Sequence, residues 1–473
     1  MKKILALLIM IVLAVGITVG LALSINPGDT ASEPAASDNS AVSQTGTSDT
    51  PSSGTSSDTS SPEASEAESE SSKEPEKQVY SFLACGDNIM HTSVLFGAVD
   101  YYAKVNGTTP NYSSMATANY DFDLIYHNIK ELVANTDLAY INQETLVGGD
   151  SIRSYPTFCS PDAIGYEVAK LGFDVVNMAH NHMLDAYSSA YLKNCNKFFT
   201  DLGLTALGYY EDKAATENIK IVTVGDVKIA FLTYAEHTNG LKLTSGDTTV
   251  LPLLSDKALI RLQVAIAKAQ ADLVFVSVHW GDEDNSTSTG EVFNHNYSKN
   301  QNYVNLFLEL NIDAVIGMHS HVLETCEWRT RADGGRTFIA YSLGNLVSGM
   351  YYGRNMLGAM LSMNIVKDGD TVYIEDPVLI PTVMHYVKGT KVSSSKSDIK
   401  GSDTGFRENE IYLLEDYSEE LAAAHGCHAK DDASFSSSKR FTFANLIKRV
   451  IKTLPEEFIP ESIIDIADEL GIE

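Results

Sequence analysis

Short apolar runs that stop abruptly at a polar cluster recur along this chain. They read FLAC then GDNIMH from Phe82, LAYIN then QET from Leu138, DVVNMA then HNHMLD from Asp174, LVFVSV then HWGDED from Leu273, DAVIG then MHSH from Asp313, and FIAY then SLGN from Phe338. Runs of β-formers closed by polar residues or Gly predict buried strands, and the carboxyl ends of strands in α/β sheets commonly carry ligand sites. The pattern therefore predicts several strand ends converging on one site.

Around these runs, strands alternate with helices from Val79 onward. A strand at Val79 to Cys85 leads through a Tyr- and Asn-rich loop to an amphipathic helix around Asp123 to Ala134. Strands at Leu138 to Asn142 and Asp174 to Ala179 are followed by helices near Asp162 to Leu171 and Ser188 to Leu202 respectively. Ile219 to Val224 and Val227 to Tyr234 form a hairpin at Gly225-Asp226. A helix at Asp256 to Gln270 precedes the strand at Leu273 to Val278, and one near Tyr303 to Leu310 precedes Asp313 to Ile316. Strands near Arg336 to Tyr341, Ala359 to Val366 and Val372 to Ile380 complete the pattern. Alternation early and hairpins late predict mixed sheets flanked by helices, an α/β sandwich.

Beyond Val387 the periodicity weakens to a Lys-, Ser- and Gly-rich loop, then helices over Glu410 to Ala424, Phe441 to Leu454 and Glu461 to Leu470. The segment FANLIKRVIKTL has an apolar face opposite basic residues. Packing against its own domain is the expectation, a membrane surface the alternative.

The amino-terminal stretch follows different rules. Lys2 and Lys3 precede an uncharged apolar run from Ile4 to about Ile25, roughly the 20 residues that a helix needs to cross a hydrocarbon core. Residues 1–25 read as a membrane anchor or signal segment. Cleavage near Ala22-Leu23-Ser24 would make the protein secreted, but the run is longer than a signal core, so an uncleaved single-pass anchor is favoured. The positive charge before it puts the remainder outside the cytoplasm. Residues 26–78 are rich in Ser, Thr, Pro, Glu and Asp with almost no large apolar side chains, the composition of a disordered linker. This leaves 79–387 as the main domain and 388–473 as a carboxyl-terminal loop and helical extension.

Charge and cysteines narrow the partners. With 62 acidic and 34 basic residues the net charge is −28, most of the excess lying in the globular part, and no basic stripe is present; nucleic acid is therefore not an expected partner. Five scattered cysteines without CxxC spacing predict buried thiols, with one pairing left open outside the cytoplasm, and neither a structural zinc site nor a disulfide scaffold.

The polar clusters supply the chemistry. Asp87, Glu144, Asn181, His182, His279, His319 and His321 mix carboxylate and amide oxygens with imidazoles, a set that suits Mn, Fe or Zn, and the carboxylates can bridge a pair of ions. Two such ions can hold a hydroxide and clamp an oxyanion during hydrolysis. One such His alone would read as a structural residue; several at successive strand ends point to a site.

HNHMLD, HWGDED, GMHSH and YSLGN, in this order after an initial GD, resemble the capsule-synthesis protein CapA family, linked to poly-γ-glutamate and similar in fold to calcineurin-like metallophosphoesterases. The resemblance runs from roughly Val79 to Val387. It implies a four-layer α/β/β/α sandwich of the calcineurin-like metallophosphatase type holding two divalent metal ions. Asp87 and His321 would bind one ion, with Glu144 bridging and Asn142 supporting it. Asn181, His279 and His319 would bind the second. His182 would be the general acid or oxyanion partner, oriented by Asp185.

The family pattern is not matched throughout. Phosphoesterases of this fold usually carry DxH at the first strand end, where this chain has Ile89; His91, two residues on, stands either as a replacement or as a loop histidine. The bridging position has Glu in an NxE context in place of GDxxD. Trp280, Glu283 and Asp284 follow His279 closely enough to line the same cleft, and Ser342 and Asn345 would shape the loop beneath the metals.

The resemblance implies a metal-dependent hydrolase in the synthesis, anchoring or trimming of an anionic capsule polymer, poly-γ-glutamate first, and the amino-terminal run places it as a membrane-anchored, extracytoplasmic protein. The alternatives are a non-catalytic metal-binding accessory subunit of a polymer synthase or exporter, and an extracellular phosphoesterase. Expected partners are the anionic cell-surface polymer, membrane synthase subunits and the cytoplasmic membrane through the amino-terminal helix.

Overall fold

The computed structural model describes residues 77–149, 151–283, 299–399, 401–427 and 441–472. The expected anchor over 1–25, the linker up to residue 76 and Asp284 lie outside the described residues. Among the described residues no helix is long and apolar enough to cross a membrane.

Two sheets are built in turn. The first begins with β1 (Gln78–Asn88), β2 (Leu138–Asn142), β3 (Val175–Asn177) and β4 (Thr205–Leu207), all parallel. The second holds the hairpin β5 (Lys220–Val224) and β6 (Val227–Ala235), then β7 (Leu273–His279), β8 (Ala314–Met318), β9 (Cys326–Thr330) and β10 (Arg336–Ala340). The chain then returns to the first sheet with β11 (Asn345–Val347), β12 (Leu357–Asp368), β13 (Thr371–Lys388) and β14 (Phe406–Leu413). The spatial orders are β14-β13-β12-β1-β2-β3-β4, with β11 beside β1, and β5-β6-β7-β8-β10-β9. Each sheet thus has a parallel block, β1 to β4 running to one edge of the first and β6-β7-β8-β10 at the centre of the second.

Side-chain alternation explains why these strands are apolar throughout. Phe82 on β1 meets Phe275 on β7 and Phe231 on β6, with ring centroids 5.2 and 6.3 Å away, and the Tyr140 hydroxyl on β2 lies 2.5 Å from Ser277 Oγ on β7. One face of each sheet therefore packs on the other sheet. The alternate residues Leu232, Tyr234, Val274, Val276 and Val278 form a second core with Ile260 and Val264 of one helix and Phe307 of another. Strands buried on both faces have no polar face to show. Phe82→Ala, which opens a cavity between the sheets, is expected to cost about 3–5 kcal/mol in urea unfolding.

Among the described residues the α-helices are α1 (Thr92–Asn106), α2 (Asp123–Tyr126), α3 (Lys130–Ala134), α4 (Asp162–Leu171), α5 (Ser189–Asp201), α6 (Lys257–Gln270), α7 (Gln301–Glu309), α8 (Glu419–Ala424), α9 (Phe443–Thr453) and α10 (Glu461–Glu469). Several start where side-chain caps predict: Ser188 Oγ accepts from Ala190 N–H, Asp256 from Leu259 N–H and Thr442 from Asn445 N–H.

The structure departs from the periodicity in places. Helix α1 occupies the stretch expected to be a Tyr- and Asn-rich loop. Its aromatic and β-branched residues are weak helix formers, and packing on β14 outweighs propensity. Gly97 permits that approach, since a Cβ there would lie 2.5 Å from Asn409 Oδ1 of β14. The single helix expected over Asp123 to Ala134 is split into α2 and α3, and Asn128 between them donates to the Ile411 carbonyl of β14.

Instead of one helix over Glu410 to Ala424, β14 runs to Leu413 and pairs antiparallel with β13, a 3-10 turn follows at Leu414–Asp416, and the α-helical part is the short α8, capped by Ser418. β13 itself crosses Val387, so the sheet continues beyond the expected end of the main domain. Strands β4, β9 and β11 were not expected; β4 and β11 are only three residues long, too short for periodicity to register. In α9, Leu446, Ile447 and Val450 are buried in the domain core, which is the own-domain packing expected of its apolar face. All five cysteines are buried thiols.

Candidate metal centre

The carboxyl ends of the two parallel blocks face each other, and the polar clusters meet there. Asp87 comes from the end of β1, Glu144 from just past β2, Asn181 and His182 from the turn after β3, His279 from the last position of β7, His319 and His321 from the turn after β8, and Asn345 from the start of β11. Glu144, His279 and His319 present ligand atoms within 4.8 Å of one another, and so do Asp87, Glu144 and His321. Glu144 belongs to both groups, the position expected of a bridging carboxylate.

The turn that carries the two histidines is strained. His319 and His321 have φ of 100° and 59°, in the left-handed region that side chains with a Cβ rarely enter. Tyr187 (59°) and Asn239 (51°), which line the same cleft, share it. Left-handed non-glycine residues gathered at one place mark a site where geometry is held against local preference.

Donor chemistry shows whether cations fit. Both Glu144 oxygens and His279 Nδ1 are buried without a hydrogen-bond partner. His279 Nε2 lies 3.0 Å from His319 Nδ1, 3.1 Å from Asn181 Oδ1 and 3.4 Å from Glu144 Oε1. Acceptors converging in a dry site with so few donors are costly unless a cation joins them. The residues present therefore fit divalent ions.

The electrostatics follow from burial. Burial and the neighbouring Asp87 charge push the Glu144 carboxyl well above the usual carboxylate range. Burial also works to raise Asp87, but its bond with His321, Nδ1 to Oδ2 at 3.3 Å, and the His279 ring outweigh it and hold Asp87 low. His321 is raised despite burial because Asp87 pairs with it. Burial, only partly opposed by Asp87, takes His279 down to about 3, and burial with His279 nearby takes His319 well below its ordinary value.

Supporting residues sit around this set. Asn142 Nδ2 donates to Asp87 Oδ1 at 2.7 Å, so its amide serves Asp87 rather than Glu144. Asn142 Oδ1 in turn accepts from Asn177 Nδ2 at 2.7 Å, and Asn177 Oδ1 accepts from Thr233 Oγ1 of the second sheet at 2.6 Å. This buried ladder ties the ends of β1, β2, β3 and β6 together. Asn345 Oδ1 lies 3.2 Å from His321 Nδ1 and its amide donates to the His321 carbonyl, while Ser342 Oγ accepts from Gly344 N–H.

His182 lies at the edge of the centre, in the cleft above Glu144 and His321. Its Nδ1 is 2.7 Å from Asp185 Oδ2, and the same oxygen accepts from Phe158 N–H at 2.6 Å. Glu283 lines the cleft and accepts from Asn181 Nδ2 at 3.2 Å. His91 lines the cleft beside Glu144 and His321 but belongs to neither ligand group; its Nδ1 accepts from Gly349 N–H at 3.1 Å and its ring packs edge-on against Phe158. Ile89, at the position of the missing DxH histidine, is buried.

Trp280 does not line the cleft. Side chains alternate along a strand, so the residue after His279 points to the opposite face, where Trp280 stacks near Tyr341, packs by Phe307 and donates Nε1–H to the Tyr341 carbonyl.

Some site residues had no expectation attached. His180 is fully buried beside His279, with Nδ1 accepting from His182 N–H. His237 packs its ring 5.1 Å from that of His319, and Asn239 lines the cleft near His182. The signal for these last two was present, since β6 also ends in a polar cluster, TYA then EHTN. Asn177 and Thr233 lie within apolar strands, and nothing local distinguishes them.

The family model described as bacterial capsule synthesis protein PGA_cap matches residues 81–350, more than half of the chain. The capsule biosynthesis protein CapA of Bacillus anthracis is 25% identical over 263 residues, covering 54% of this chain and 60% of that protein. The PGA biosynthesis protein CapA of Bacillus subtilis (strain 168) is 28% identical over 211 residues, covering 44% of this chain and 51% of that protein. The chain thus spans between half and two thirds of the curated relatives it matches. Among solved structures, a putative 5'-nucleotidase from Staphylococcus aureus in complex with alpha-ketoglutarate gives a TM-score of 0.38 at 15% identity, over 64% of this chain and 54% of that one. The NAD nucleotidase NadN of Haemophilus influenzae gives 0.36 at 13%, over 66% and 52%. Those scores are too low to assign a fold by likeness. The family match, in contrast, runs through every strand end from Asp87 to Asn345 that builds the centre, and the chain belongs to the bacterial capsule synthesis protein PGA_cap family.

Proposed function

We propose that this protein is an extracytoplasmic hydrolase that uses two divalent ions, Mn, Fe or Zn, in the synthesis, anchoring or trimming of an anionic capsule polymer. The observation that carries the reading is the pair of ligand groups sharing a buried carboxylate neither of whose oxygens has a hydrogen-bond partner, Glu144. A four-layer sandwich of the calcineurin-like metallophosphatase type is the architecture we assign to it, supported by two facing sheets with parallel blocks and helices packed on their outer sides. Poly-γ-glutamate is the polymer we place first, because a relative is named for PGA biosynthesis. Attachment to the cytoplasmic membrane rests on the apolar run at residues 4–25 and would bring the domain close to membrane subunits of a polymer synthase.

In this reading Asp87 and His321 hold one ion, Asn181, His279 and His319 the other, and Glu144 both. Bound ions would supply positive charge for a developing oxyanion and acidify an attacking water. The chain's own residues position and exchange protons. Asp185 engages His182 Nδ1, which leaves Nε2 as the nitrogen that would give a proton to a leaving group from the imidazolium form, returning the ring to neutral with Nδ1–H still held by Asp185. Asn142 and Asn345 hold Asp87 and His321 in place from behind.

One observation favours a second reading, a non-catalytic metal-binding accessory subunit: Ile89 takes the place of the DxH histidine, and His91 belongs to neither ligand group. Elemental analysis of the purified full chain is the test. About two transition-metal ions per chain are expected, reduced in Asp87→Asn and His319→Ala without loss of fold by circular dichroism. Unchanged stoichiometry in both variants would sink the assigned centre. Ions bound without turnover of either phosphate esters or γ-glutamyl polymers would favour the accessory reading.

A further inference from the structure

The cleft over Glu144 and His321 has a volume of about 380 Å³, and one wall is made by residues with no part in holding ions. Tyr155 and Tyr187 stand in that wall, 66% and 63% exposed, more than any other large apolar or aromatic side chain among the described residues. Tyrosines at a cleft mouth present an apolar ring face with a polar tip, the kind of surface that ligand clefts and interfaces use. Tyr187 is also held at φ 59°, a conformation that a bulky residue avoids unless its surroundings impose it. Phe158 continues the wall inward, and its ring meets that of His182 edge-on at 4.7 Å. Because Phe158 N–H and His182 Nδ1 share Asp185 Oδ2, the aromatic wall and the proton-carrying ring are positioned by one carboxylate.

The charges in the wall restrict what can lie against it. Among the described lining residues the acids are Glu144, Asp185 and Glu283, and no Lys or Arg is present; Glu144 and His321 belong to the ion-binding groups and Asp185 is taken up by His182 and Phe158, which leaves Glu283 as the acid open to a ligand. An ionised carboxylate only accepts hydrogen bonds, so Glu283 receives hydroxyl donors and repels a further carboxylate. Asn239 adds an amide that can both donate and accept. Aromatic faces for apolar C–H surfaces, with acceptors at their edges for hydroxyls, complement a sugar ring and not a run of anionic side chains.

We propose that Tyr155, Phe158 and Tyr187 form a subsite for a pyranose ring on the leaving-group side of the centre, so that the bond offered to the ions joins an anionic group to a sugar. The proposal rests on the hydrolase reading for the position of the leaving group. It narrows the substrate to a junction between the capsule polymer or its precursor and a glycan, with cleavage adding water across that bond and His182 giving a proton to the departing sugar oxygen.

Binding tests it without turnover. Saturation-transfer NMR on the full chain, with and without added Mn²⁺, would use glucose 1-phosphate, glycerol 3-phosphate and a γ-glutamyl oligomer as probes. Saturation of the sugar ring protons is expected. The double variant Tyr155→Ala/Tyr187→Ala should weaken glucose 1-phosphate about tenfold while leaving glycerol 3-phosphate unchanged, and Tyr155→Phe/Tyr187→Phe should retain binding. Equal binding of the two phosphates, no effect of the alanine pair, no binding of glucose 1-phosphate, or tighter binding of the γ-glutamyl oligomer would each overturn the subsite. Sugar binding without hydrolysis would leave the subsite standing and count against the hydrolase reading alone.

Discussion

Glu144→Gln is expected to strip both ions and lower any metal-dependent hydrolysis by about a hundredfold or more, since one carboxylate serves both ligand groups. The same change should stabilise the metal-free protein. Glu144 is buried, neither oxygen has a hydrogen-bond partner, and Asp87 lies beside it, so burial and like charge oppose its ionisation. Replacing it by a neutral amide of the same shape removes that penalty, a gain of about 1–3 kcal/mol at neutral pH. The two effects have opposite signs, which makes the variant informative. Elemental analysis should show the loss of metal, and thermal melts in chelator should show a higher midpoint than the parent. A variant that keeps its ions, or that melts lower in chelator, would contradict the shared-carboxylate arrangement.

In chelator, acidification below about pH 6.5 is expected to destabilise the domain steeply. Burial lowers His91 and His279 to about 3 and His385 to about 4, and takes His180 and His319 well below their ordinary value. In the unfolded chain each takes up a proton near pH 6.5; folded, each resists until far lower. The stability they contribute is thus complete above 6.5 and lost as pH falls, by up to about 1.4 kcal/mol per pH unit for each ring.

Groups held above their ordinary values act the other way. The raised His321 and Glu144 in the centre, and Glu167, Asp174 and Asp313 outside it, bind protons more readily folded than unfolded and add stability as pH falls. The depressed imidazoles, joined by the depressed carboxylates Asp87, Asp247 and Asp403, outnumber them. Bound ions, which need the ligands deprotonated, should shift the acid transition to lower pH. Intrinsic fluorescence during acid titration, with and without chelator, reads both effects. A metal-free domain that gains stability from pH 6.5 to 5 would refute this balance.

Much of the centre was legible before any coordinates. Asp87, Glu144, Asn181, His279, His319 and His321 each end an apolar run, and the structure brings those six together. His182 with Asp185 was legible as a local pair three residues apart, and the two do hydrogen-bond. The misreadings share one cause. Trp280 follows His279 in sequence but alternates to the other face of β7, and Asn142 precedes Glu144 but bonds Asp87 on the neighbouring strand. Helix α1 and strand β14 form against each other, each lacking a periodicity strong enough to announce it.

What the sequence by itself determined was the set of strands and the chemistry at their ends, because continuous apolar runs and the polar residues that stop them are local properties of the chain. Only the tertiary structure decided which acid meets which imidazole. The His319 N–H donates to Asp87 Oδ2 across 232 residues of chain, and that contact exists because two separate sheets pack with their carboxyl ends aligned. It also decided that His237 and the tyrosine wall belong to the site, since proximity in space depends on the register and facing of strands far apart in sequence, which no single run of residues encodes.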